Sequence, residues 1–257
     1  MKLNESTAVS TSKVLLVTYD RRHVLTYHAW MEDPAIQEAT ASERLSLAEE
    51  YSNQASWRAS HDKLTFIVCQ PSPSLTPAPS PTTPGAGAVL AGEVDGPDKM
   101  IGDVNLFLTP YDEDEDEDEA YCVGEVDIMI ADAQHRGQGV GRAAVGAFLA
   151  YVSRNLDGIL AEYSLSCSLE EGRGGDHDQA KPKLKMLVAK INAGNGKSIA
   201  LFRSLGFEQE GAVNYFGEVK MVLRADDLRE RMSIAPEGYM EVVYRRAEGD
   251  DGTGPSL

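Results

Sequence analysis

The chain has 257 residues, 42% of them apolar, enough to bury a sizeable core in one large domain or two small ones. Its formal charge is −17; eight of those charges lie in the run Asp112–Glu119, and the −9 that remains still argues against a nucleic-acid partner. No apolar run reaches about 18 residues and the first twelve residues hold no signal-peptide core, so neither a membrane contact nor secretion is expected. The three cysteines, Cys69, Cys122 and Cys167, are widely spaced and have no histidine at metal-ligand spacing. Reduced thiols, a cytoplasmic or nuclear location and the absence of a metal site are therefore expected.

Val14–Tyr19 (VLLVTY) reads as a first strand, followed by a helical segment over Val24–Met31 that Pro34 helps to end. Ser46 and Glu49 form a capping-box signature, predicting a helix with Leu47, Tyr51 and Ala55 on one face and an end near Ser60. Thr65–Cys69 (TFIVC) is a short β-branched and aromatic run, hence a second strand. In residues 70–98, Pro71, Pro73, Pro77, Pro79, Pro81 and Pro84 are interleaved with Ser, Thr, Ala and Gly, a composition expected to stay disordered. Ile101–Leu108 resumes a strand pattern able to pair back onto Thr65–Cys69. Residues 111–120, with the acidic run, form a second expected disordered insert, a solvated hairpin loop before the next strand.

The stretch from Glu125 to Arg142, EVDIMIADAQHRGQGVGR, organises the rest. Val126, Ile128 and Ile130 alternate with Glu125, Asp127 and Met129, a strand that turn residues at 131–133 end. Gly137, Gly139 and Gly141 then permit conformations and close approaches that a Cβ would hinder. A helix is predicted from Arg142, with Ala144, Val145, Phe148, Leu149 and Val152 on one face. Strand, glycine loop and helix aim unpaired N–H groups and the positive end of a helix dipole at one point, which suits a phosphate. The loop lacks the Gly-Lys-Ser/Thr of a Walker sequence, and Arg142 stands where a dinucleotide fingerprint needs its third glycine. Glu162 sits at the distance of a ribose-binding acid, but its surroundings do not read as a strand end.

Residues 156–183, rich in Ser, Gly and charge, read as a third disordered insert. Lys185–Ile191 returns as a strand, and Asn195-Gly-Lys-Ser198 opens a helix carrying Ile199, Phe202 and Leu205 on one face, with Gly206 as a left-handed cap. Phe207 starts another strand and Tyr215–Leu223 supplies the last; residues 248–257 read as a frayed tail. The order predicts a single α+β domain over residues 1–247, a mixed sheet covered by helices.

Gln134-His-Arg-Gly137-Gln-Gly139 fits the pattern Q/R-x-x-G-x-G/A, and by it the chain resembles the GNAT superfamily of acetyl-CoA-dependent N-acetyltransferases. The segment from Asn195 through Ser198, Phe202 and Leu205 to Gly206-Phe207 is similar to the N-x-x-S…F-x-x-L-G-F segment of the branch that includes ribosomal-protein acetyltransferases. Thr40-Ala-Ser-Glu43-Arg-Leu-Ser-Leu47, Glu50-Tyr51, Ser56-Trp57, Asp62 to Val68, Gly102 to Phe107 and Gly124 to Asp127 together resemble the N-acetyltransferase 9-like subfamily of eukaryotes, over most of the chain outside the inserts. The resemblance implies the GNAT fold, with a mixed, mostly antiparallel central sheet flanked by helices, and acetyl-CoA as co-substrate. It further implies acetylation of protein N-termini, with tubulin as the substrate class.

The resemblance also implies roles. The CoA pyrophosphate belongs on the backbone of Arg136, Gly137, Gln138, Gly139, Val140, Gly141 and Arg142, with Arg136 and Arg142 either adding charge or standing as plain surface arginines. The pantetheine arm enters where the central strand splays from the following one, often at a bulge, beside Ile128, Met129 and Ile130. Asn195, Ser198 and Phe202 count as contacts from the opposite side, although an asparagine and a serine at a helix start also serve local capping. Glu125 and Asp127, on one strand face, are candidates to take the amine proton, to bind the amine, or simply to face solvent. A free α-amine titrates near 7.7–8.0 and a lysine near 10.4, so an N-terminal acceptor is chemically easier. Where many relatives carry a tyrosine as general acid this chain has Phe202, which has no proton to give; Tyr215 is a substitute, and water another. A working acetyltransferase, on α-amines, lysines or small amines, and a CoA-binding scaffold without catalysis both remain open at this point.

Overall fold

The computed structural model describes residues 1–75, 87–111, 120–170 and 181–247, with the backbone alone at 74 and 166–170. Residues 76–86, 112–119, 171–180 and the tail 248–257, where disorder is expected, lie outside those described. A hairpin of β1 (Thr7–Ser10) and β2 (Leu15–Thr18) precedes α1 (Val24–Met31), α2 (Pro34–Thr40) and α3 (Leu47–Ala59). α3 starts at the predicted box: the Ser46 amide donates to the Glu49 carboxylate at 2.8 Å, and the Glu49 amide to the Ser46 hydroxyl at 3.4 Å. β3 (Lys63–Cys69), β4 (Ala88–Leu90), β5 (Met100–Tyr111) and β6 (Tyr121–Ile130) follow. Then come α4 (Val140–Arg154), α5 (Leu156–Glu170), β7 (Lys183–Asn192), α6 (Gly196–Ser204), β8 (Glu208–Glu210), β9 (Glu218–Arg224), α7 (Ala225–Arg231) and β10 (Met240–Arg245).

The ten strands of the described residues join one sheet in the order β4-β10-β1-β2-β3-β5-β6-β7-β9-β8. The β6–β7 and β10–β4 pairs are parallel and the others antiparallel, so the sheet is mixed and mostly antiparallel as expected. Strand alternation sends residues to two cores. Leu64, Phe66, Val104, Leu106, Val126, Leu187 and Met221 pack on one face with α4, α5, α6 and α7. Leu15, Val17, Ile67 and Cys69 pack on the other against Val24 of α1 and Leu47 and Tyr51 of α3. Phe66 meets Phe148 and Tyr151 of α4 edge-on at 6.0 and 5.1 Å.

Several expectations need correction. α4 begins at Val140 rather than Arg142 and is buried all round from Ala144 to Val152, because it lies over the sheet with α5, α6 and α7 about it. The expected disordered insert 156–183 holds α5 instead. Leu156, Ile159, Leu160 and Tyr163, at helical spacing, bury there, and that apolar stripe outweighs the polar composition around it. Glu162 is no ribose acid: its carboxylate accepts the Lys2 and Leu3 amides at 2.6 and 2.9 Å. Residues 87–98, also expected to be disordered, supply β4 and the buried Asp95. The Asp95 carboxylate accepts the Gly92 amide at 2.5 Å and the Tyr244 hydroxyl of β10, and lies 2.9 Å from His23 Nε2. These donors satisfy a charge that is otherwise costly to bury. The sequence pattern does not announce β1, α7, β10 or α2, which starts at the Pro34 expected only to end α1. β9 starts at Glu218, because the Asn214 side chain accepts the amides of Phe216 and Glu218, each at 2.9 Å, and keeps 215–217 in a turn.

Candidate active site

The sheet opens at its middle. β6 and β7 pair from Tyr121↔Lys183 to Glu125↔Val188 and no further, while β6 stays with β5 to Ile130 and β7 with β9 to Asn192. From Val126 and Ala189 onward the two strands part, leaving β6 with an edge that has no ladder partner on that side. The expected bulge is displaced: the pairing shifts register between Cys122 and Val123, before the opening, and the β5–β6 ladder runs unbroken past Ile128–Ile130. Because β6 and β7 are parallel, their carboxyl ends both face the opening, the usual place for ligands in such arrangements.

The glycine loop stands at the end of β6. Gly137 and Gly139 take φ of +77° and +79°, conformations L residues rarely adopt, while a Cβ on Gly141 would stand 2.9 Å from Leu201 of α6. Among the described residues, the amides of residues 137–142 make no hydrogen bond; the Ala143 amide, donating to the Gly139 carbonyl at 3.0 Å, is the first satisfied by the helix. Arg136 folds inward, its Nε donating to the Ile130 carbonyl at 2.7 Å and a terminal nitrogen to the Ala131 carbonyl at 2.9 Å. It therefore fixes the loop to the strand end and is not free to embrace an anion. Gln138 likewise donates back to the Gln134 carbonyl at 2.5 Å. Arg142 is exposed, and Lys13, from the β1–β2 turn, puts its ammonium 3.4 Å from where a Gly139 Cβ would be.

Polar side chains line one face of the strands at the opening. Glu125 accepts from Lys190 Nζ at 2.7 Å across the parting strands, and the carboxylate holds the Lys190 ammonium above its ordinary range. Asp127 has no such partner. Solvent reaches it, but the surrounding strands strip enough hydration, and the Glu125 charge adds enough repulsion, to push its carboxyl up to about 6 against the pull of Lys190. Directly across β5 stands Asn105, 5% exposed, with Asp103 beside it, 2% exposed. Asp103 accepts from Asn105 Nδ2 at 2.8 Å and from the Tyr27 hydroxyl at 3.3 Å, and burial pushes its carboxyl up to about 7.

An acetyltransferase (GNAT) domain profile matches residues 13–208. The chain belongs to the GNAT acetyltransferase family. Within the family it is a member of the N-acetyltransferase 9-like group. It is 38% identical, over 87% of its length and 98% of the relative's, to the N-acetyltransferase 9-like protein of Schizosaccharomyces pombe. It is 33% identical, over 94% of each chain, to the alpha/beta-tubulin-N-acetyltransferase 9 of Homo sapiens. The GNAT fold is shared with the spermidine N-acetyltransferase of Vibrio cholerae solved with CoA and spermine (TM-score 0.54, 15% identity, 84% of this chain and 98% of that one). It is shared too with the ribosomal L7/L12 alpha-N-protein acetyltransferase solved with coenzyme A (TM-score 0.52, 14% identity, 84% and 97%). The chain is thus an acetyl-CoA-dependent N-acetyltransferase.

In this GNAT enzyme Ile128, Met129 and Ile130 flank the opening on β6, next to the loop of 136–142. Asn195 caps α6, its Oδ1 accepting the Ser198 amide at 3.1 Å, so the local reading of both residues holds. Phe202 is corrected: at 2% exposure, packed edge-on to Phe207 at 5.0 Å, it is core and presents no surface to a cofactor. Tyr215 is corrected as well. It is 97% exposed at the tip of the β8–β9 turn beside Phe216, outside any strand and in no position to serve as a buried proton donor. Sequence reading missed Lys13, Asp103, Asn105 and Lys190. Lys190 was within reach, since a lysine on the strand paired to β6 answers a glutamate there; Lys13 carried no signal, being 126 positions from the loop it joins.

Proposed function

We propose that the enzyme acetylates the free α-amine of a polypeptide N-terminus, with tubulin as the acceptor, and that Asp127 is the base. The observation that carries this reading is the place of Asp127, on β6 just where β7 has parted from it, beside a cradle of unpartnered amides; loss of hydration among the strands and the Glu125 charge push its carboxyl up to about 6. A base of that strength matches an α-amine, of which roughly a quarter is neutral near pH 7.4, against about one lysine in a thousand. Glu125, tied to Lys190, is left as an electrostatic neighbour that raises Asp127.

The residues present fit CoA. The amides of 137–142 would hold the diphosphate, assisted by the α4 dipole, by Lys13 and by Arg142, with no Cβ on Gly137 to obstruct it. The partnerless edge of β6 along Val126–Met129 would receive the pantetheine amides, with Asn195 and Ser198 bordering the far side, and a β6 main-chain N–H would polarise the thioester carbonyl. When bound, acetyl-CoA supplies the activated acyl group and a thiol leaving group. Asp127 takes the ammonium proton of the acceptor, while Phe202 and Tyr215 give no proton, so the leaving thiolate is protonated by solvent.

A polypeptide acceptor is supported by Tyr215 and Phe216, an exposed aromatic tip on the turn that leads into Glu218, paired with Asn192 at the end of β7. Tubulin is supported by relatives from Homo sapiens and Drosophila melanogaster called alpha/beta-tubulin-N-acetyltransferase 9. That acceptor, with the buried Cys69 thiol in no disulfide, favours work in the cytoplasm. The test is acetyl transfer to tubulin N-terminal peptides with free or blocked α-amines, each containing a lysine, with products mapped by tandem mass spectrometry. Transfer to free α-amines alone is expected; equal rates on blocked peptides would overturn the proposal.

A further inference from the structure

Asn105 sits in β5 directly opposite Asp127 of β6, on the same sheet face, where cross-strand Cβ atoms lie about 5 Å apart. Its amide group is held from behind, Nδ2 donating to Asp103 at 2.8 Å, and Asp103 is fixed in turn by the Tyr27 hydroxyl. Its Oδ1 is sealed from solvent and has no hydrogen-bond partner in the protein. A carbonyl-type oxygen in that condition carries a desolvation cost with no return, unless a donor arrives during the working cycle. The donor at hand is Asp127 itself, once it holds a proton.

We infer that Asn105 is a positioning residue for the acid form of the base: its Oδ1 accepts the O–H of Asp127 after Asp127 has taken the proton of the acceptor ammonium. This deepens the function proposed above and rests on Asp127 being the base. One N–H bond of the acceptor breaks, one O–H bond forms on Asp127, and the amine is left neutral with its lone pair free; no other group changes state. Asp103 serves by orientation. Because its carboxyl accepts Nδ2, the amide cannot turn its nitrogen toward Asp127 without losing that bond.

The groups that face Asp127 act in a consistent sense. Glu125 on its own strand and Glu218 on β9 favour its acid form, and Lys190 on β7 opposes it; Asp103 on β5, whose own acid form the Asp127 charge favours, and behind it Tyr27 of α1, Tyr19 and Glu50 of α3 complete the surroundings. Loss of the Asn105 oxygen removes stabilisation from the acid form alone. That makes Asp127 a weaker base.

The test compares Asn105→Val with Asn105→Thr, two side chains of the same shape, of which only the second offers an oxygen. In the free protein the Asp127 carboxyl is titrated by carbon NMR, and the acidic limb of kcat/KM is followed in parallel with Asp127→Asn as reference. The valine variant is expected to move both readouts down by about half to one pH unit, with CoA affinity and KM for acetyl-CoA unchanged, and threonine to restore part of the shift. Should Asp127→Asn keep the acidic limb, the base assignment itself fails. Should Asp127→Asn abolish that limb while valine and threonine titrate with the wild type, the base stands and the role of Asn105 is refuted. If Asn105→Val does not fold, the threonine variant with Asp103→Asn gives the same comparison, because both weaken the hold on the oxygen and must shift the titration downward.

Discussion

Replacing Gly139 by aspartate does two separable things to the loop ahead of α4. It puts a side chain on a backbone at φ +79°, ψ 7°, which costs an L residue about 1–2 kcal/mol. It also puts a carboxylate among amides that in the present account receive a diphosphate, next to the Lys13 ammonium 3.4 Å from the new Cβ. The aspartate can then take Lys13 as its own partner and repel the ligand. Losing hydrogen bonds to a charged group is worth about 1.5–3 kcal/mol, or roughly a ten- to hundredfold weaker Kd for CoA. Gly139→Ala is the control, since it carries the backbone strain without the charge. Calorimetric titration with CoA and thermal melting of the free proteins separate the two effects. Both variants should lose about 1–2 kcal/mol of stability, while the alanine variant binds CoA within about fivefold of wild type and the aspartate variant does not. An aspartate variant that binds CoA as tightly as the wild type would refute the reasoning.

Three further outcomes are expected. The rate on α-amine peptides should fall as pH drops through about 6, where Asp127 gains a proton, and Asp127→Asn should remove that limb and lower kcat/KM by about 10²–10⁴ at unchanged CoA affinity, measured in steady state. Lys13→Ala should raise the KM for acetyl-CoA about three- to tenfold and flatten its dependence on salt, leaving kcat within twofold, because the lysine meets the donor far from the acyl group. Asp103 is a stability marker: its folded carboxyl titrates at about 7, above the ordinary value of 3.8, so the folded state holds one more proton than the unfolded chain between those values. Stability is then greatest at the acid end of that window and declines as pH rises through about 7; Asp103→Asn should flatten the profile and stabilise by about 1–3 kcal/mol at pH 8, checked by melting across pH.

What the sequence disclosed depended on whether the controlling interaction was local. The Ser46 box, the strand-loop-helix order around Glu125–Arg142 and the Asn195 cap are set by neighbours in the chain, and each is found, with α4 starting two residues early; the longer-range return of β5 onto β3 is found as well. The parting of β6 from β7 was expected beside Ile128–Ile130 from resemblance, and it begins close by, at Val126. Composition misled where a few residues outvote many. Four buried side chains make α5 from a Ser- and Gly-rich segment, and a single Asp95 ties residues 87–98 to β10 through Tyr244. Phe202 and Tyr215 were misjudged because a sequence does not tell a core aromatic from one at a turn tip; Phe207 and Asn214 decide those environments. Glu125 and Asp127 look equivalent on paper, and only Lys190, arriving from the next strand, separates their chemistry.

Amide hydrogen exchange with and without CoA tests the central claim most directly, because the account assigns the donor to two runs of main chain rather than to a side chain. The amides of 137–142 have no partner and should exchange at nearly free rates in the unliganded protein. On adding CoA, slowing is expected there and along Val126–Met129, where β6 has lost β7. If CoA binds while both runs keep exchanging freely and protection appears elsewhere, the cradle and the opening are not where the donor sits, and the assignment of the site is wrong.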